Sequence, residues 1–452
     1  MPAWLRVHRT ARVGALYPAA MRWRRPRALG LAIGIGIVLL LAGGAALFLR
    51  ARAPHDVSHP EVEFRPETPA PAPPPPKKAR RKAHRFVWPF YGYTADRRRF
   101  FAAPSTLRPP FVRMWAFRAR SLLEFNPIMV GRWLFVIAND GRLYSISKRT
   151  GRVRWKRRIG VLAAESPAYA NGRVCVTVLN RAAGLPGRAA CLRARDGRLL
   201  WSRTLPSRAE SSPVIDSGRV YFGSEDGTVY AMRLSDGAVP WRFRAQGAVK
   251  GGLALVDGRL YFGDYAGKVY AIRQADGHEV WRVGTSGARL GLSSGRFYST
   301  PAVAYGRVYI GNTDGFVYSF AARDGRLAWR THTDAYVYGS PAVADVEGGP
   351  GPTVYIGSYD GTFYALNARS GSVRWRHRDG GKISGGATVI GDVVYFSNWG
   401  KRTSMGLGAR TGRVVWRSRF GSFNAMISDG AMMVQTGTAS LYGLRRLSRR
   451  DR

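Results

Sequence analysis

From about residue 212 onward the hydrophobic and polar positions of this chain fall into a recurring phrase. "RVYFGSEDGTVYAMRLSDGAVPW" (219–241), "RLYFGDYAGKVYAIRQADGHEVW" (259–281) and "RVYIGNTDGFVYSFAARDGRLAW" (307–329) share one grammar. Runs such as "RVYFG" and "TVYAM" alternate in polarity and are rich in β-branched and aromatic residues, which predicts strands. "EDG" at 225–227 separates them as a hairpin turn, because Gly accepts positive φ there. "SDG" at 235–237 makes a second turn leading into a strand that carries Trp241. With "SPVIDSG" (212–218) ahead of it, the phrase predicts a four-stranded antiparallel unit.

The spacing is rigid at one turn and loose between units. Gly151–Trp155, Gly197–Trp201, Gly237–Trp241, Gly277–Trp281, Gly325–Trp329, Gly371–Trp375 and Gly412–Trp416 each keep four residues' separation, while successive Trp lie 40 to 48 apart. A four-stranded unit at that period predicts a β-propeller. Burying an indole stabilises by at most roughly 4–6 kcal/mol at about 25 cal/mol per Å², and only a neighbouring sheet can cover its second face. The repeat is therefore expected to be packing, and the variable gaps surface.

The chain's end carries a unit that stops short. "GAMMVQTGTASLYGL" (430–444) aligns with 218–232 at a constant offset of 212, which would place its Trp just beyond Arg452. "FVRMWAF" (111–117) offers the spare strand, with Trp115. The expectation is an all-β, eight-bladed propeller over 111–446, with 111–117 completing the last blade. Ring closure would remove exposed sheet edges. Trp115, Trp155, Trp201, Trp241, Trp281, Trp329, Trp375 and Trp416 are the expected blade-docking residues.

The run A-x-x-x-D/T-G-x-x-x-W at these turns resembles the tryptophan-docking repeat of the pyrroloquinoline-quinone (PQQ) propeller superfamily, and "WPFYGYTADRRRF" (88–100) resembles the entry segment preceding such propellers. The superfamily contains quinone-dependent dehydrogenases and non-catalytic scaffolds such as the BamB lipoprotein of the outer-membrane barrel assembly machinery. The dehydrogenases are expected to carry vicinal cysteines, a calcium site of Glu and Asn, and a catalytic Asp. Here Cys175 and Cys191 are not adjacent, and no lipid-bearing Cys stands near the N-terminus. The resemblance thus implies the fold more than one pathway.

Charge and compartment narrow the partners. Lys and Arg number 71 against 28 Asp and Glu, a net charge of +43, so anionic surfaces attract the chain. Residues 28–49 carry no charge and, as a helix at about 1.5 Å per residue, would cross a hydrocarbon core of about 30 Å. Arginines crowd 1–27, which predicts a basic cytoplasmic tail, a single-pass membrane helix and a propeller outside the cell membrane. That location excludes nucleic acid as the expected partner. Residues 50–87, with "PAPAPPPPKKARRKAHR", read as a Pro-rich basic linker holding the propeller off the membrane as a stalk; 88–110 is the entry segment and 447–452 a basic tail. In an oxidising compartment Cys175 and Cys191, in strands of one unit, form a disulfide or remain two buried thiols.

Catalytic motifs are sparse. "HTD" (332–334) and "HRD" (377–379) sit at different offsets from their Trp, and no nucleophile elbow, phosphate loop or metal-ligand spacing stands out. The chain therefore reads as no enzyme and as needing no cofactor, the alternative being a PQQ- and calcium-dependent oxidoreductase with a divergent site. The second hairpin of each unit and the connection to the next unit emerge on one face. Phe297, Tyr298, Tyr336, Tyr338, Trp399 and Phe423 are expected there as a partner-binding rim for an envelope protein, a polypeptide or an anionic wall polymer.

Overall fold

The computed structural model describes residues 38–41, 43–44, 55–66, 86–104, 107–285, 295–421, 423–448 and 451, and divides into Met1–Arg52 and Ala53–Arg452. The predicted membrane helix falls largely outside the described residues. Residues 38–41 and 43–44 are helical, and no helix among the described residues is long and apolar enough to cross a membrane.

The second unit is an eight-bladed propeller. Its sheets span 128–158, 168–205, 214–244, 254–284, 302–332, 342–378, 388–418 and 427–446, here called blades 1 to 8, each running from its innermost strand outward. Blade 8 takes its fourth strand from Phe111–Arg118, which pairs antiparallel with Ser440–Arg446 and sets Trp115 opposite Gly443. Cys175 and Cys191 face each other across two paired strands of blade 2 and are disulfide-bonded.

Each indole is shared between two blades. Trp115, Trp155, Trp201, Trp241, Trp281, Trp329 and Trp375 lie over Gly151, Gly197, Gly237, Gly277, Gly325, Gly371 and Gly412 of the following blade. A Cβ on any of these glycines would stand 2.6–2.8 Å from the ring, and every one has positive φ. Only Gly satisfies both demands. Each Nε1–H also donates to the following blade, from Trp115 to the Lys148 carbonyl (2.8 Å) through to Trp375 and the Ala409 carbonyl (3.0 Å). Trp416 differs: blade 8 has no such turn, and the ring instead meets Phe111 and Tyr395 edge-on at 6.1 and 6.0 Å.

Two segments outside the repeats shape the molecule. Residues 86–101 thread the hub, offering carbonyls to the innermost strands in turn. Pro89 accepts from Tyr169, Ala95 from Leu255, Asp96 from Val303, Arg98 from Val343 and Arg99 from Val389, at 2.8–2.9 Å. This winding course needs left-handed φ at Tyr93, Arg97 and Arg99. Buried Arg97 fastens it by donating to the Leu253, Ser212 and Pro213 carbonyls.

The stalk reading is corrected by the second segment. Residues 55–66 lie on the propeller, with Val57–Ser58 as a fifth strand of blade 5. Buried Arg307 donates to the Val62 and Glu63 carbonyls, and Phe64 stacks on Tyr305 at 5.4 Å. The Arg307 guanidinium is satisfied there by main-chain oxygens, so this stretch of the linker is bound.

Candidate functional site

The face that carries the second hairpins and the inter-blade connections holds two adjoining depressions. At the hub the connections are stitched one to the next: Ser166 N–H donates to Ser212 Oγ (3.0 Å), Gly252 N–H to Thr300 Oγ1 (2.8 Å) and Thr300 N–H to Ser340 Oγ (3.0 Å). They enclose a cavity of about 220 Å³ lined by Tyr91, Glu124, Glu210, Lys250, Tyr298 and Asn424 among others. Tyr91 of the entry segment closes one side, its hydroxyl donating to Asn424 Oδ1 (2.9 Å), with the Arg99 guanidinium stacked behind its ring at 3.7 Å.

The cavity's charges are internally matched. Lys250 Nζ lies 2.6 Å from both Glu210 and Glu225, and Arg208 holds the other side of Glu225 at 2.6 Å. Burial pushes the Glu124 and Glu210 carboxyls up, and for Glu210 the Lys250 ammonium only partly opposes this. Burial works against the Lys250 charge, but the two glutamates outweigh it and hold the ammonium above its ordinary value. Burial, ahead of Glu210 and Glu124, raises the Tyr298 hydroxyl well above the usual phenol range.

Beside the hub, a groove of about 960 Å³ runs across the connections of blades 4 to 6. A tyrosine chain walls it and joins it to the hub cavity through Tyr298: Tyr265–Tyr298 (6.4 Å), Tyr298–Tyr338 (5.8 Å), Tyr336–Tyr338 (6.0 Å) and Tyr338–Tyr359 (4.9 Å). The local sequence dictates this projection. Val337 is buried against Gly311, so alternation throws Tyr336 and Tyr338 outward. Tyr265 rides a hairpin locked by buried Asp264, whose Oδ1 accepts from the Ala266 and Lys268 N–H and whose Oδ2 accepts from the Gly247 N–H and the Tyr270 hydroxyl. Arg296 lies over Tyr265 at 5.6 Å and Lys382 over Tyr359 at 5.5 Å, giving the aromatic wall a cationic edge. Asp314 in the groove is pushed up to about 6 by burial, against the hydrogen bonds that favour its charged form.

The predicted rim is thus sorted into three. Tyr298, Tyr336 and Tyr338 come together. Trp399 and Phe423 stack on each other at 5.9 Å as a separate pair, with Phe423 also lining the hub cavity. Phe297 is a correction: it is fully buried, closing over Gly263, where a Cβ would stand 2.4 Å from its own, and it belongs to the core. Tyr265 and Tyr359 were missed. Both occupy the position that varies inside the hairpin phrase, where Glu225 and Thr313 stand in neighbouring repeats. His332 borders the groove 4.0 Å from Asp334, with both side chains exposed.

The hub donors do not suit a quinone tricarboxylate with calcium. The cavity offers such an anion two carboxylates and one lysine already paired with two of its own glutamates. No cluster of three or more metal-ligating His, Cys, Asp or Glu occurs among the described residues, and the Cys175–Cys191 disulfide lies in blade 2, off the cavity lining.

Comparison with known proteins follows the fold. A family model described as outer membrane protein assembly factor BamB matches residues 113–183, 182–289 and 225–446. Among solved structures, BamB from Moraxella catarrhalis is similar with TM-score 0.60 at 15% identity, over 75% of this chain and 99% of that one. The quinohemoprotein alcohol dehydrogenase ADHIIG from Pseudomonas putida HK5 is similar with TM-score 0.67 at 14% identity, over 79% and 80%. The quinohemoprotein alcohol dehydrogenase from Comamonas testosteroni gives 0.65 at 12% identity, over 80% and 81%. At such identity these likenesses show the fold alone. Among curated proteins, none matches the sequence.

Proposed function

The chain belongs to the family described as outer membrane protein assembly factor BamB, and from that premise we propose that it is a non-catalytic binding scaffold. In this reading a membrane-anchored, extracytoplasmic propeller holds an envelope protein by an extended polypeptide segment. The observation that carries the reading is the tyrosine groove with Arg296 and Lys382 on its edge. Rigid aromatics with a polar tip supply contact area at little conformational cost, which suits a polypeptide more than a small substrate. Envelope assembly is the pathway that the family description suggests.

Crosslinking in intact cells through a photoreactive residue at position 336 tests it, with captured neighbours identified afterwards. Envelope polypeptides are expected, and the variant with Tyr336, Tyr338 and Trp399 changed to Ala should lose them while melting at the same temperature. A lowered melting temperature would make these residues core and sink the reading. The alternative, a PQQ-dependent oxidoreductase with a divergent site, has in its favour a cavity at the hub and runs against that cavity's donor set. Titration with the quinone and calcium separates the two: a perturbed quinone spectrum with dye reduction would replace the scaffold by the enzyme.

A further inference from the structure

On the opposite face, where the first and third hairpins of each blade emerge, the blades are joined by a second recurring device. Arg219, Arg259 and Arg307 occupy the first position of the second strand in blades 3, 4 and 5. Each reaches across to main-chain carbonyls just past the next blade's third strand. Arg219 donates to Ala275 (2.7 Å), Arg259 to Ala322 (3.4 Å) and Arg323 (3.0 Å), and Arg307 to Ala368 (3.3 Å) and Arg369 (2.5 Å). The guanidinium Nη1 thereby ties two blades together across the groove between them.

Blades 6, 7 and 8 begin that strand with Thr353, Val393 and Met433, and blade 1 departs from the arginine pattern with an aromatic ring. Its second strand begins with Trp133, pairing Val130 as Arg219 pairs Asp216. An indole has a single N–H and no fork. Between blades 1 and 2 the groove stays open, with a volume of about 700 Å³, in the range of small-molecule sites. Arg132, Arg154, Arg173, Arg193 and Arg195 line it, together with Trp133 and Tyr169, and no carboxylate does. Asp196 answers only Arg193 and Arg195. Arg173, the counterpart of the bridging arginines in blade 2, bonds only its own hairpin carbonyl at Asn171 (3.5 Å), and its Nε is buried without a partner among the described residues. Arg154 lies flat over the Trp133 ring at 4.3 Å.

We propose that this open groove between blades 1 and 2 is a binding site for an anionic saccharide, a chain of sugar rings bearing carboxylate or phosphate. The guanidiniums match anionic oxygens in fork geometry, and an aromatic floor among them suits a ring with one apolar face better than a bare ion. This site is separate from the tyrosine groove and does not depend on its occupant.

The test is isothermal titration of the full chain with tetragalacturonate, with glucose 1-phosphate as the phosphate arm and maltotetraose and tetraglutamate as controls. One of the two anionic sugars is expected to bind, maltotetraose not at all, and Arg154→Ala should weaken binding at least tenfold. Trp133→Arg is the decisive variant. It adds a positive charge yet supplies the missing bridge to the Arg195 carbonyl, so a groove site loses the saccharide whereas a merely basic surface gains affinity. Equal or tighter binding by Trp133→Arg at an unchanged melting temperature overturns the proposal. So does tetraglutamate competing as well as the sugar, or neither anionic sugar binding.

Discussion

The two faces of the propeller are built from the same repeat and end up chemically unlike. On the face of the second hairpins, Lys250 and Arg208 neutralise Glu210 and Glu225 beside the hub, and what reaches solvent is a row of tyrosines edged by Arg296 and Lys382. On the face of the first and third hairpins, Arg219, Arg259 and Arg307 bridge the seams after blades 3, 4 and 5, while the groove between blades 1 and 2, with Trp133 in place of such an arginine, has five guanidiniums facing it. Net charge therefore says little about where an anion would sit. What matters is whether each arginine already has carbonyl or carboxylate partners.

The largest effect expected from any single change comes from a residue that lies on neither face. Phe297→Ala should cost about 3–5 kcal/mol in denaturant unfolding, the usual cost of emptying a buried aromatic site, whereas Tyr336→Ala should leave stability unchanged. If Phe297→Ala melted like the parent, the division between core and rim would be wrong. Next, Trp133→Arg should abolish anionic-sugar binding and leave polypeptide capture by the tyrosine groove intact, which separates the faces by a single side chain. Raising salt from 50 to 300 mM should weaken sugar binding steeply and polypeptide binding far less, measured by titration at each ionic strength.

The smallest effect concerns acidity. The Asp314 carboxyl titrates near about 6 when folded, above its ordinary 3.8. Between those values the folded chain keeps a proton that the unfolded chain has lost, so stability falls as pH rises through that window. Asp314→Asn should flatten that part of the pH–stability curve, and an unchanged slope would remove Asp314 as its source.

Much of the architecture was legible in the sequence. Seven Gly–Trp pairs at one spacing reported the turns, and the offset of 212 between two distant stretches located the closing strand. The turns show up because each glycine meets two constraints at once, positive φ and an indole pressed against it. The site was less legible. Tyr265 and Tyr359 sit inside hairpins that turn chemistry explains without them, and Phe297 stands next to exposed Arg296 in a stretch with no strand alternation. The hub-filling path of 86–101 carries no period at all, since Pro89, Ala95, Asp96, Arg98 and Arg99 each answer to a different blade. The open seam was encoded in plain view, as Trp133 where the next four repeats have Arg173, Arg219, Arg259 and Arg307, but it meant nothing until the arginines' carbonyl partners were known.

The attachment of residues 55–66 to blade 5 changes how the chain's proline-rich stretch must be understood. The stretches on either side of residues 67–85 both grip the propeller. Among the described residues, the propeller's hold on this unit therefore begins at residue 55, some thirty residues earlier than the start of the hub thread. A chain cut anywhere between residues 67 and 85 would keep both pieces seated on the propeller, and the clipped protein would travel through a sizing column as though whole.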